Sequence, residues 1–225
     1  MKALLLLLLA GCFSNLAFAD LVIVQRVEGS MQSGTMTLKI KGDKSRADVA
    51  PELSTITDGA SGEVITLMHV KKGFMRIPAE RTRALREQME KLQKAAQPKA
   101  TEPPRLTPTG KKEKIENREC EVFTWAGNGV NATYWVARDY PDHAAISQAM
   151  EKALNSGLSA LSLQITPRQS DFPGMVIKTE MMIAGQKVTT TLVSVTNQEV
   201  ETALFAVPPD YKELPTPEFN FPVGK

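Results

Sequence analysis

The chain has 225 residues, with 27 Lys and Arg against 25 Asp and Glu, a formal charge of +2 at pH 7. Acidic and basic residues are interspersed, so neither nucleic acid nor an anionic membrane surface has an electrostatic claim on it. With two cysteines in all, Cys12 and Cys120, a disulfide-built scaffold is excluded as well.

The amino terminus carries the clearest pattern. Met1-Lys2 is a positive start, Leu4 to Leu9 is unbroken leucine, and Ala17-Phe18-Ala19 precedes Asp20. A charged start, a short apolar run and an A-x-A site make a cleavable signal peptide over residues 1–19, with small residues at Ala17 and Ala19 and the cut before Asp20. The uncharged stretch from Ala3 to Ala19 would reach roughly 26 Å as a helix, short of the ~30 Å hydrocarbon core, so a retained span is disfavoured. Leu9-Ala10-Gly11-Cys12 also forms a lipobox. In that alternative Cys12 is lipidated and residues 13–20 tether the domain to a membrane. The expectation is export to the periplasm or beyond, with Lys2 lost and Cys120 the remaining cysteine. Its place in the alternating run Glu119-Cys120-Glu121-Val122 makes Cys120 a small buried hydrophobe.

From Leu21 onward the period is two. Leu21 to Val24, Met36 to Lys41, Arg46 to Val49, Leu53 to Thr57, Val64 to Val70 and Phe74 to Ile77 read as strands, punctuated by glycine and aspartate. Close turn spacing predicts an antiparallel meander. Between Ala79 and Ala96 the period becomes helical, with Leu85, Met89, Leu92 and Ala96 on one narrow stripe. Pro98, Pro103, Pro104 and Pro108 make residues 97–110 a linker that can be neither helix nor central strand.

The second half repeats the β pattern. Lys112 to Ile115 and Cys120 to Trp125 lead to a hairpin turn at Asn128-Gly129, and Thr133 to Val136 returns. Pro141 opens a second helix with Ile146, Ala149, Met150, Ala153 and Leu154 on its apolar face. Residues 158–163 offer a further helical turn. Met175 to Ile183 and Val188 to Val195 form a last hairpin, and a Pro-rich tail over 216–225 ends the chain. Residues 20–96 alone would bury little apolar area. The expected product is therefore one domain over 20–215. Its class is α+β, mostly β: a curved antiparallel sheet, or incomplete barrel, packed against two helices.

Several stretches carry a resemblance. They are Asp20 to Gly29, Thr37 to Asp43 with Arg46, Thr55 to Asp58, Gly110 to Ile115, Glu119 to Val122, Tyr134 to Ala137, Thr189 to Val195, and Phe205 to Pro208. On these the chain resembles the bacterial exported proteins grouped as domain of unknown function 4412. The element order also looks like the lipoprotein-carrier (LolA/LolB-like) fold, in which a half-barrel wraps helices and shelters an acyl chain. That resemblance implies a hydrophobic ligand by analogy alone.

Catalytic and metal signatures do not appear in the sequence. His69 lies in a strand and His143 beside a helix start; both read as structural. Asp139 and Asp142 read as a helix cap. Metal-ligand spacings, nucleophile elbows and phosphate loops are lacking, so no cofactor and no metal are expected. The expectation is a non-catalytic domain that binds a lipid or other hydrophobic ligand on a wall of Phe74, Trp125, Trp135, Met181 and Ile183. A protein-interaction module using sheet edges and a hydrolase of unknown type are the alternatives. Plain core is the competing reading of the five wall residues.

Overall fold

The computed structural model describes residues 20–29, 33–96, 105–127, 130–154, 166–183 and 185–216. The leader with Cys12, Ala17 and Ala19, the Asn128-Gly129 turn, residues 158–163 and the end of the tail lie outside the described residues.

Strands β1 (Leu21–Gly29), β2 (Gly34–Lys41), β3 (Lys44–Ala50), β4 (Leu53–Asp58), β5 (Val64–Met68) and β6 (Gly73–Ile77) run consecutively. Helix α1 spans Ala79–Ala96. Then come β7 (Thr107–Ile115), β8 (Arg118–Gly127), β9 (Val130–Ala137) and helix α2 (His143–Leu154). Strands β10 (Met175–Ile183), β11 (Gln186–Asn197) and β12 (Lys212–Glu213) complete the chain.

Among the described residues twelve strands form one sheet in the order β12-β6-β5-β4-β3-β2-β1-β11-β10-β9-β8-β7. The described fold is mostly β with two α-helices, and the sheet is curved and open, not closed into a barrel. Two meanders, β1–β6 and β7–β11, are joined where β1 pairs antiparallel with β11. The short β12 runs parallel to β6. Strand β1 is thus central, which explains its unbroken apolar start: Leu21 and Ile23 enter one core cluster, and Val22 enters another on the opposite face. Bulges interrupt β1 against β11 and β10 against β9, where extra residues add to the coiling of the sheet.

The register places both helices on the same face. Leu21 pairs with Ile40, Ile40 with Ser45, Ser45 with Thr57, Thr57 with Val64, and Val64 with Ile77, one row across six strands. Helix α2 packs on the Leu21 and Ile40 end through Ile146, Met150 and Ala153. Helix α1 packs on the Val64 and Ile77 end through Leu85. Of the expected α1 stripe, Leu85 is the described apolar side chain; those of Met89, Leu92 and Ala96 lie outside the description. The opposite face is covered by Val200 and Phe205 over Ile56, Ile65, Leu67 and Phe74. Phe172 covers it in the second half.

Several expected boundaries shift; the strand expected over Val64 to Val70 ends at Met68, so His69 and Val70 stand in the turn before β6. The linker over 97–110 yields its last four residues to β7, which begins at Thr107. Strand β7 lies at the sheet edge, where a proline's missing N–H costs least. The ladder to β8 is also irregular between Pro108 and Lys112, and Gly110 takes a φ of 73° there. Helix α2 starts at His143 rather than Pro141, because Asp142 stands at φ 54° and its carbonyl accepts the Ile146 N–H at 3.0 Å.

Candidate ligand-binding site

Helix α2 does not seal the sheet along its whole length. Ala145 and Ala149 fall one turn apart on it, and their short side chains leave space that larger residues would fill. A cavity of about 360 Å³ lies there, walled by Leu21, Ile40, Ala145 and Ala149, with Asp20, Gln148 and Lys152 on its polar side. Its size falls at the lower end of small-ligand pockets.

The rim is held by ion pairs. The Asp20 carboxylate accepts hydrogen bonds from Lys41 Nζ at 2.5 Å and from the Val200 N–H at 2.8 Å. Burial pushes the Asp20 pKa up, but the Lys41 and Val200 hydrogen bonds outweigh it and the carboxyl stays below its usual range. Lys152 Nζ meets Asp43 Oδ1 at 2.5 Å and ties α2 to the β2–β3 turn.

A larger groove of about 740 Å³ opens at the ends of β7 to β11. Thr107, Thr124, Thr133 and Glu180 form one polar row along it by register. Glu180 pairs with Lys178 and Lys187, each at 2.7 Å. Trp125 and Met181 border the same groove, yet strand alternation sends their side chains to the opposite face. The groove mixes that charged and hydroxyl row with Ala126 and the exposed Met182.

The five expected wall residues do not form one wall. Phe74 packs with Ile65 and Leu67 beneath the C-terminal segment. Trp125 and Met181 share the Tyr134 and Phe172 cluster. Trp135 lies in the core under α2, donates Nε1–H to Glu113 at 2.8 Å, and carries the Lys178 ammonium 4.4 Å from its ring centroid. The side chain of Ile183 lies outside the description. The reason for the scatter is period two: Trp125 pairs with Ala132 and Trp135 with Val122, an odd offset along both strands, so the indoles face opposite ways.

A second feature escaped the sequence reading. Beneath the C-terminal segment, Ser54 Oγ donates to Asp48 Oδ1 at 2.6 Å, and Arg46 donates to Ser54 Oγ and to Asp48 Oδ1 at 3.0 and 2.7 Å. Lys39 also bonds Asp48. His69 Nε2 meets Ser54 Oγ at 2.7 Å and Nδ1 meets the Tyr211 hydroxyl at 2.6 Å. Since the Ser54 proton goes to Asp48, His69 Nε2–H donates to Ser54, and Nδ1 shares its hydrogen bond with the Tyr211 hydroxyl. Arg46 Nη1 also bonds the Leu204 carbonyl at 3.0 Å. His69 and Tyr211 are 142 residues apart, so no local pattern could announce the contact. The alternation of Arg46 and Asp48 around Ala47 was the available signal for a polar row on that face.

These residues are a serine, a histidine and an aspartate in the wrong order for acyl transfer. The aspartate holds the serine and not the histidine, and Ser54 is 1% exposed. Among the described residues no group of three His, Cys, Asp or Glu side chains could hold a metal ion. Among them, too, no helix is long and apolar enough to cross a membrane.

A central β1, an open curved sheet and two helices on one face define the class: a single-sheet α+β domain with a small cavity under a helix. A family model described as "Domain of unknown function (DUF4412)" matches residues 21–211, and the chain belongs to that family. No curated protein matches its sequence. Among solved structures it is similar to PNGF-II in a C2 crystal form, at 12% identity and a TM-score of 0.39, over 87% of this chain and 31% of that one. The P21 form of PNGF-II gives 11% identity and the same TM-score. The chain thus spans about a third of the length of PNGF-II. It is also similar to the Mycobacterium tuberculosis lipoprotein LppX, at 11% identity and a TM-score of 0.40, over 82% of this chain and 90% of that one.

Proposed function

We propose that this protein is exported and, without catalysing a reaction, holds the apolar part of a small ligand between α2 and the sheet. The cavity walled by Leu21, Ile40, Ala145 and Ala149 carries the proposal. Its aliphatic wall of Leu21, Ile40, Ala145 and Ala149, the charged Asp20 and Lys152 beside it, and the anchoring of α2 by Ile146 and Met150 support this reading. The leader over residues 1–19 supplies the export reading, with Cys12 as the tethering alternative. The buried, proton-donating state of Ser54 supports the non-catalytic reading.

N-phenylnaphthylamine, an apolar fluorophore that brightens on leaving water, provides the test. The protein from Asp20 onward should raise its emission saturably, and Ala149→Trp, which fills the cavity, should abolish the rise while the far-ultraviolet circular dichroism is kept. An unchanged titration in a folded Ala149→Trp would refute the site.

One observation favours a second reading. Strand β7 is an open edge with eight of its nine residues exposed, a place where an extended partner segment could add a strand. Pro108, Lys111, Lys112 and Lys114 guard that edge against indiscriminate pairing. A stable complex from native purification, lost on Lys114→Pro, would favour this reading over ligand binding.

A further inference from the structure

The rim of the α2 cavity specifies the charge of what it holds. Its charges cancel in pairs: Lys41 with Asp20, and Lys152 with Asp43. The two pairs differ in solvation. The Asp20 side chain is 13% exposed and committed to Lys41 and the Val200 N–H. Lys152 and Asp43 are 65% and 51% exposed, a pairing of little energy that a competing anion can replace. Asp20 lines the cavity and is the residue that leader removal would make the first of the chain. Cleavage there creates an α-ammonium at the cavity, one positive charge beyond those that the two pairs balance.

We propose that the mature protein binds a single-chain carboxylate amphiphile in this cavity. The alkyl chain lies against Leu21, Ile40, Ala145 and Ala149, and the carboxylate sits between the Asp20 α-ammonium and Lys152. The proposal rests on export with cleavage before Asp20 and on the cavity as the binding site. It adds the class of headgroup and makes removal of the leader the step that completes the site. An aliphatic wall cannot tell one headgroup from another; the charged rim does so. The cavity volume limits the occupant to one chain.

Calorimetric titration of the protein beginning at Asp20 with dodecanoate, dodecanol and dodecylamine tests this. Dodecanoate should bind tightest and dodecylamine weakest. Acetylating the α-amino group should weaken dodecanoate by roughly fivefold, the scale of one partly exposed ion pair, and leave dodecanol unchanged. Lys152→Gln should act in the same direction. Equal affinity for all three probes, or an equal effect of acetylation on dodecanol, would overturn the headgroup assignment while leaving the cavity reading intact. If none of the three binds, the cavity reading itself falls. Ala149→Trp should remove all binding; if it fails to fold, Ala145→Leu serves, and undiminished binding in the folded variant places the ligand elsewhere.

Discussion

Asp48 shows what one side chain does in this sheet. Burial pushes its pKa up, but hydrogen bonds from Lys39, Ser54 and Arg46 outweigh that and bring it down to about 2. A carboxylate with a depressed folded-state pKa stabilises the fold above its unfolded value near 3.9, and that contribution disappears as pH falls toward 2. At neutral pH it is on the order of 2 kcal/mol for a group 25% exposed. Asp48→Asn should therefore lower stability by about 2 kcal/mol or more at pH 7, since Arg46 is left without its carboxylate. It should also flatten the acid limb between pH 4 and 2, as read by urea unfolding; an unaltered limb would remove Asp48 from the network. Tyr134 is the contrasting case. Its hydroxyl is buried without a hydrogen-bond partner among the described residues, and burial pushes its pKa up to about 12. Tyr134→Phe should be neutral or stabilising by up to about 1 kcal/mol, because it removes an unpaid desolvation and keeps the ring 4.8 Å from Phe172. Gly174 is fixed by a close approach: a Cβ there would lie 2.7 Å from Arg138 Cα and against the Ala137 carbonyl. Gly174→Ala should push β10 off β9 and lower the melting temperature, since backbone atoms cannot step aside.

At the scale of elements, the two helices differ in how firmly they are held. Helix α2 is anchored in the main core by Ile146, Met150 and Ala153, whereas α1 meets Val64 and Ile77 through Leu85. Hydrogen exchange should find α1 amides less protected than those of α2, and Met150→Ala should cost about 2–5 kcal/mol. Equal protection in the two helices would contradict this ordering. The C-terminal segment is the unexpected element. Tyr211 on His69, Leu204 on Arg46, and the Lys212 and Leu214 amides on the Lys72 and Phe74 carbonyls clip it over Ile56, Ile65 and Leu67. Truncation after Glu199 should expose that cluster and leave an aggregation-prone sheet.

Strands and helices were legible because each announces itself over a few residues: Met36 to Lys41 alternates, and Ile146, Met150 and Ala153 recur at helical spacing. Strand β7 was half hidden, because its first residues are Thr107-Pro108-Thr109-Gly110 and edge strands tolerate what central ones do not. The clip at Tyr211 could not be read, since its partner His69 stands in the turn after β5, 142 residues away and outside any local window. Nor could the cavity, because Ala145 and Ala149 look like ordinary helix formers until a sheet stands opposite them. The large rings Phe74, Trp125 and Trp135 enter three different core clusters, a division that depends on strand register and not on residue type.

For the whole molecule, one curved sheet is covered by helices on one face, and on the other by the C-terminal segment over its first half and by Phe172 over its second. The central claim is that the chain is released at Asp20 and carries an apolar guest beneath α2. Native mass spectrometry of the protein recovered after export tests both parts at once. The recovered protein should begin at Asp20 and carry an amphiphile-sized adduct that a folded Ala149→Trp lacks. A full-length chain still bearing Leu4 to Leu9, a chain beginning at acylated Cys12, or an adduct indifferent to Ala149→Trp would contradict the central claim.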